Sequence, residues 1–251
     1  MPSHAVLIHG LHVGLIPLYL STMAVLTLYG FHRYVQVYLY YKHLKNIPQA
    51  RGTFGALPPV TVQLPMYNER YVAARVIESA CRLDYPRELL QIQVLDDSTD
   101  ETHPYTEWLC NEYAARGIPI EYRHRTNRHG YKAGALQEGL ATATGEFIAI
   151  FDADFVPPAD FLQRTVHFFS DPQIGVVQTR WSYLNKEYNI LTQIEAMLLD
   201  GHFVREHGAR CGAGFFFNFN VTAGILRRKM IDEAGGWQHD ALTEDSDLSY
   251  R

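Results

Sequence analysis

Phe147-Ile148-Ala149-Ile150-Phe151-Asp152-Ala153-Asp154 decides how the rest of the chain is read. The first five residues are apolar throughout, as expected of a central strand buried on both faces. The two carboxylates that follow are one residue apart, so an extended chain places both on the same side. Two anions so close repel unless a cation lies between them. A hard divalent ion takes oxygen ligands: Mg²⁺ typically uses one or two carboxylates plus substrate phosphates, and Mn²⁺ suits the same set.

On either side of this strand the sequence alternates. Short apolar stretches at 60–64, 91–95, 118–122 and 174–179 read as strands, and 215–226 as strand-rich. Between and beyond them, 69–82, 101–116, 132–142, 158–169, 190–207 and 228–234 carry helical spacing. Strands alternating with helices predict an α/β domain with a mostly parallel central sheet, whose ligands gather at the carboxyl ends of the strands. Those ends are acidic. The second strand runs into Asp96-Asp97-Ser98-Thr99-Asp100, the fourth into Asp152 and Asp154, and a later segment leads to Thr243-Glu244-Asp245. Alone, the first of these motifs reads equally well as a helix cap. Between the two Asp-rich ends lies a basic stretch, Arg123-His124-Arg125 and Arg128-His129-Gly130-Tyr131-Lys132. A helix N-terminus binds phosphate through its free amides, and Lys132 adds a point charge; alone, the stretch also reads as a solvated loop.

Composition narrows the classes. The 251 residues are 47% hydrophobic and 20% charged, ordinary for a globular chain, and a net charge of -5 leaves no basic footprint for nucleic acid. Three scattered cysteines argue for reduced thiols, with no disulfide framework and no zinc site. Residues 1–32 contain no Asp, Glu, Lys or Arg, and 5–31 are apolar enough for a transmembrane helix. Arg33, Lys42, Lys45 and Arg51 follow without an acid, which by the positive-inside tendency makes the bulk of the chain cytoplasmic. A cleaved signal peptide or an interfacial or buried helix are the competing readings; the uncharged start disfavours the first. The expected organisation is a spanning helix over 1–32 in the inner or plasma membrane, a basic juxtamembrane segment and linker over 33–57, and a catalytic domain over 58–251.

Leu64-Pro65-Met66-Tyr67-Asn68-Glu69, Asp96–Asp100, His129–Leu136, Asp152-Ala153-Asp154 and Thr243-Glu244-Asp245, in that order, resemble the signatures of family 2 glycosyltransferases of GT-A fold. Phe216-Phe217-Asn218-Phe219-Asn220, followed by Thr222-Ala223-Gly224, looks most like the cellulose-synthase-like and mannan-synthase-like branch. The resemblance implies roles. Tyr67, Glu69 and Asp97 would hold the nucleotide and Lys132 its diphosphate. Asp152 and Asp154 would bind Mg²⁺ or Mn²⁺, Asp154 the more directly, and Asp245 would be the general base. Phe217, Asn218, Thr222, Ala223 and Gly224 would line the acceptor site, with Glu244 a structural or hydrogen-bonding neighbour of the base. The expected reaction is an inverting, metal-assisted transfer of a hexose from UDP-glucose or GDP-mannose to a β-linked polysaccharide. Single-sugar transfer to a lipid-linked acceptor, and a nucleotide-binding remnant without catalysis, are the alternatives.

Two departures from the pattern stand out. Processive members usually carry Gln-x-x-Arg-Trp after the Thr-Glu-Asp motif and then further membrane helices, whereas this sequence stops at Arg251, which suggests a fragment or a truncated protein. Val221 also stands where the branch commonly has glycine, an awkward choice if the backbone there needs a positive φ.

Overall fold

The computed structural model describes residues 4–216, 218–239 and 244–251, with side chains placed from Val13 onward and, in the last segment, from Asp247. The described chain forms two compact units, Met1–Pro48 with Ser182–Phe216, and Gln49–Trp181 with Phe217–Arg251.

The larger unit is an α/β sheet domain. Its strands are β1 (Val60–Met66), β2 (Leu90–Asp96), β3 (Ile120–His124), β4 (Phe147–Ile150), β5 (Val176–Gln178) and β6 (Gly224–Arg227). They lie in the order β3-β2-β1-β4-β6-β5. The first four are parallel, whereas β6 runs antiparallel to both β4 and β5. Helices α2 (Ala73–Cys81), α3 (Thr102–Ala115) and α5 (Phe161–Thr165) cover one face, burying Val62, Leu64, Ile92, Val94 and Phe147. The other face lies under α4 (Tyr131–Leu140) and α8 (Arg228–Glu233), which pack on Leu95, Ile148, Ile150 and Leu226. With apolar residues pointing both ways, β4 is buried along its whole length, as its sequence requires.

Beneath α4 the sheet is not wholly apolar. Thr61 donates to Gln91 at 2.8 Å and Gln63 to Gln93 at 3.0 Å. Gln93 reaches on to the Thr142 hydroxyl at 3.1 Å, and Gln91 to Glu121. This ladder of amides spans three strands and the end of α4. Gly145, just before β4, donates its amide to Thr61 Oγ1 at 2.9 Å. A Cβ on Gly145 would stand 2.3 Å from the Thr61 amide nitrogen and 2.7 Å from the Val60 carbonyl carbon. Both neighbours are backbone and cannot step aside. Gly145→Ala is therefore expected to cost about 3 kcal/mol, read as a lowered melting temperature; an unchanged one would contradict this packing.

Several expected elements differ at their ends. The helix expected over 69–82 begins at Ala73, because the Glu69 carbonyl accepts the amides of Val72 and Ala73 in a preceding turn. The stretch 158–169 divides into α5 and a 3₁₀ turn, Val166–Ser170. Among the described residues of 215–226, only Gly224 onward is strand. The residues before it include Val221 at φ 44° and Ala223 at φ 51°, which no strand accommodates.

The second unit is helical. α1 (His4–His43) runs unbroken through the basic residues expected to follow a shorter span. Its segment Val13–His43 contains an 18-residue window of mean hydropathy 1.6 and is long and apolar enough to cross a membrane. Leu18, Val25, Leu28 and Phe31 are all exposed. α6 (Ile190–Asp200) opens on a capping box between Asn189 and Thr192 and continues through a π-helical turn (Gly201–His207) into α7 (Gly208–Gly212). The turn packs on α1, where Gln36 donates to Glu206 at 3.4 Å. His207 is buried in this turn beside His202, and burial first, then the neighbouring imidazole, brings its pKa down to about 4.

Candidate donor site

Four parallel strands end at the same edge of the sheet, so residues 67–69, 97–100, 125–132 and 152–154 are brought together. Because β6 is antiparallel, its start delivers Thr222 and Ala223 to this edge as well. The first two acidic motifs and the basic loop, separate in sequence, share one site.

Asp96 and Asp97 divide their duties. Asp96 is wholly buried and faces inward. It accepts the Ser98 amide at 2.8 Å and the Tyr122 hydroxyl at 2.6 Å. Tyr122 lies 2.6 Å from His103 Nδ1, and since its own proton goes to Asp96, the histidine is the donor there. Burial first, then the bond to Asp96, pushes the phenol of Tyr122 far up. The Ser98 hydroxyl accepts the Asn68 amide at 2.8 Å, and Asn68 Oδ1 accepts the Thr99 amide at 2.9 Å. The loops after β1 and β2 are thereby tied to each other. Asn68 adopts φ 55°, which an asparagine tolerates.

Asp97 instead receives Arg125, at 2.7 Å from Nε and 2.5 Å from the terminal nitrogen. Both side chains are nearly buried, with 4% and 10% exposed. The Asp97 bond raises the guanidinium's already high pKa further. The same guanidinium donates to the Tyr131 carbonyl at 3.0 Å, so Arg125 also clamps the start of α4. Gly130 precedes α4 at φ 73°, and its Cβ would come 3.1 Å from both Gly134 and His239. Arg128 stacks 3.3 Å over the ring of Tyr67, which is itself partly exposed at the mouth.

The acidic pair follows β4. Ala153 is buried and Asp154 exposed. The strand has ended, and the chain turns here, with the Phe155 amide donating to the Asp152 carbonyl at 3.0 Å, so the extended chain expected through both carboxylates is not what places them. The Asp152 amide donates to the Thr222 hydroxyl at 3.1 Å. The Asp152 carboxylate lies 2.5 Å from the ammonium of Lys132, which also donates to the Val221 carbonyl at 3.1 Å. Glu69 completes the acidic patch. Partial burial, then the charges of Asp154 and Asp152, raises its carboxyl pKa above the ordinary value.

These residues fit a divalent cation with ligands still to be supplied. Among the described residues, no group of three or more His, Cys, Asp or Glu encloses a metal by itself. Burial first, and then the charges of Asp154 and Asp152, disfavour the ionised form of Glu69, and the ammonium of Lys132 lies against Asp152. Two carboxylates with open positions for a diphosphate and water match what Mg²⁺ and Mn²⁺ use.

The residues expected to line an acceptor site are placed unevenly. Thr222, Ala223 and Gly224 are buried at the sheet edge, and Gly224 lacks a side chain because the Phe219 ring stands 2.3 Å from where its Cβ would be. Asn218 accepts a bond from the Tyr250 hydroxyl at 2.9 Å. Phe219 and Trp237 are core residues. Phe217 and Thr243 lie outside the described residues, as do the side chains of Glu244 and Asp245 at the start of α9 (Glu244–Tyr250).

Sequence reasoning placed Arg125 and Arg128 in a basic loop without individual roles and missed the Thr222 contact to Asp152. A strand ending one residue before an arginine, beside a strand ending in Asp-Asp, is the signal that could have paired Arg125 with Asp97. Nothing in the sequence marks the other two contacts.

Comparison with known proteins agrees with this geometry. Residues 61–234 match the model of glycosyl transferase family 2. Glucomannan 4-beta-mannosyltransferase 9 of Arabidopsis thaliana is 45% identical over 202 residues, 78% of this chain and 38% of that protein. Glucomannan 4-beta-mannosyltransferase 1 of Cyamopsis tetragonoloba is 43% identical over 199 residues, 77% of this chain and 38% of that one. The chain thus spans well under half the length of the curated relatives it matches. Among solved structures, the mannosyltransferase PcManGT from Pyrobaculum calidifontis, in complex with GDP-Man and Mn²⁺, superposes with a TM-score of 0.67 at 26% identity. That match covers 89% of this chain and 61% of the other. TarS of S. aureus, at 16% identity and a TM-score of 0.50, covers 76% of this chain and 53% of its own and shares the fold. With its GT-A type α/β sheet and its glucomannan mannosyltransferase relatives, the chain belongs to glycosyl transferase family 2.

Proposed function

We propose that this chain binds a nucleotide sugar, GDP-mannose before UDP-glucose, and transfers its hexose with inversion to a growing β-linked polysaccharide. The observation that carries the reading is the meeting of Asp97, Lys132, Asp152 and Asp154 at one edge of the sheet. The mannosyltransferases among its relatives, and the GDP-Man and Mn²⁺ held by PcManGT, favour mannose over glucose.

In this reading Tyr67, Glu69 and Asp97 hold the base and ribose, with Arg128 stacked behind Tyr67 and Arg125 fixing Asp97. Lys132 takes the diphosphate at the start of α4. Asp152 and Asp154 hold Mn²⁺ or Mg²⁺, which, when bound, neutralises charge on the leaving diphosphate. Asp245 removes the proton from the acceptor hydroxyl as its oxygen bonds to the anomeric carbon and the carbon–oxygen bond to the diphosphate breaks. Asn218, Thr222, Ala223 and Gly224, with Phe217 and Glu244, shape the acceptor side. The domain expected over 58–251 works on the cytoplasmic side of a membrane spanned by the apolar N-terminal helix.

Calorimetric titration of the purified full chain in detergent tests the donor assignment. GDP is expected to bind in Mn²⁺ and to lose most of that affinity in chelator, with UDP weaker by at least about tenfold. If neither nucleotide binds a chain that melts cooperatively, the donor site assigned here is wrong.

A further inference from the structure

Lys132 stands where two demands meet. Its ammonium lies 2.5 Å from Asp152 Oδ1 while donating to the Val221 carbonyl. The donor-site reading gives these two groups to different ligands, the carboxylate to a divalent cation and the ammonium to a diphosphate. Neither ligand is fully served while the groups hold each other. The side chains are 28% and 34% exposed, so water screens the pair incompletely and separating it has a cost.

We propose that Lys132 is a resident competitor of the metal at Asp152, and that this competition makes metal and nucleoside diphosphate bind together rather than singly. The inference rests on the donor-site reading above and adds to it a coupling between its two ligands. A divalent ion arriving alone meets a like charge beside the carboxylate it needs. A diphosphate arriving alone meets a lysine already neutralised. Together, the diphosphate draws the ammonium away and Asp152 turns to the metal, so each ligand removes the other's obstacle. Reciprocity makes the gain the same in both directions. The lysine's departure also releases the Val221 carbonyl. Val221 is β-branched and held at φ 44°, so the movement reaches the backbone on the acceptor side.

The test measures Mn²⁺ binding to the full chain in detergent, without nucleotide, from the electron paramagnetic resonance signal of the free ion. Lys132→Met keeps the length and removes the charge. It is expected to bind nucleotide-free Mn²⁺ about tenfold more tightly than the wild type. It should also bind GDP more weakly in Mn²⁺, and the factor by which GDP tightens Mn²⁺ should fall towards one. Lys132→Arg, which keeps the charge, should stay near the wild type for Mn²⁺ alone. If Lys132→Met binds Mn²⁺ no more tightly while Asp154→Ala abolishes the binding, the ion is at the pair and Lys132 is no competitor; the inference alone falls. If Asp154→Ala leaves Mn²⁺ binding intact, the ion lies elsewhere, and the donor-site reading falls with the inference.

Discussion

Asp154→Asn is expected to weaken GDP binding in Mn²⁺ by at least about a hundredfold and to lower sugar transfer by roughly a thousandfold. Asparagine keeps the shape and one oxygen of aspartate but removes the charge that a hard cation needs. The position is exposed and its side chain supports no part of the core, so the fold should not suffer. It should gain slightly. Glu69 is held above its ordinary pKa by partial burial and by Asp154 and Asp152, so its ionised form is disfavoured in the folded chain. That penalty is absent at low pH and grows as pH rises through the ordinary carboxylate range. Removing Asp154 relieves part of it, and the melting temperature of the variant above that range should equal or exceed the wild type's. Nucleotide affinity and melting together separate this outcome from simple unfolding. Unchanged GDP affinity in Mn²⁺ would remove Asp154 from the site.

Asp97→Asn attacks the fold and the site together. The Asp97–Arg125 bridge is bidentate and nearly buried, and the same arginine holds the carbonyls of His129 and Tyr131 at the start of α4. Neutralising the aspartate leaves a nearly buried guanidinium with only the exposed Glu138 carboxylate, 3.8 Å away, as counter-charge, which costs about 3 kcal/mol. The expected result is a clearly lowered melting temperature and a loss of nucleotide affinity that added Mn²⁺ does not restore. Arg125→Lys should fail similarly, since one ammonium cannot reproduce the fork of two bonds. If Asp97→Asn melts as the wild type does, the bridge contributes nothing to holding that loop.

Much of this arrangement could be read from the chain because its chemistry is local. The apolar stretch before Asp152 reads as a buried central strand, and β4 is one, although it ends at Ile150 and a turn over 152–155, not an extended chain, carries the two carboxylates. The strand leading to Asp96 and Asp97 is equally plain. What escaped depends on distant partners. The exchange of Asp96 inward and Asp97 outward is decided by Tyr122 and Arg125, which arrive from the next strand. The antiparallel course of β6 follows from its packing between β4 and β5, and its aromatic lead-in looked like strand because Phe219 is apolar. That ring is instead buried over Gly224, and the backbone between them turns through left-handed conformations. Val221 was legible as an oddity, and its φ of 44° gives the oddity a physical form.

The amide ladder under α4 bears on how the domain reaches its fold. Parallel strands far apart in sequence find each other slowly, and a sheet apolar on both faces offers many wrong pairings. If β1 met β2 one residue out of step, Thr61 and Gln63 would turn into the apolar face and Val62 and Leu64 would turn towards α4. Each stranded amide would then cost about 1–3 kcal/mol. A misaligned sheet is therefore penalised at every rung, before any helix has closed over it. The ladder edits the pairing as the chain folds, which an all-aliphatic face could not do.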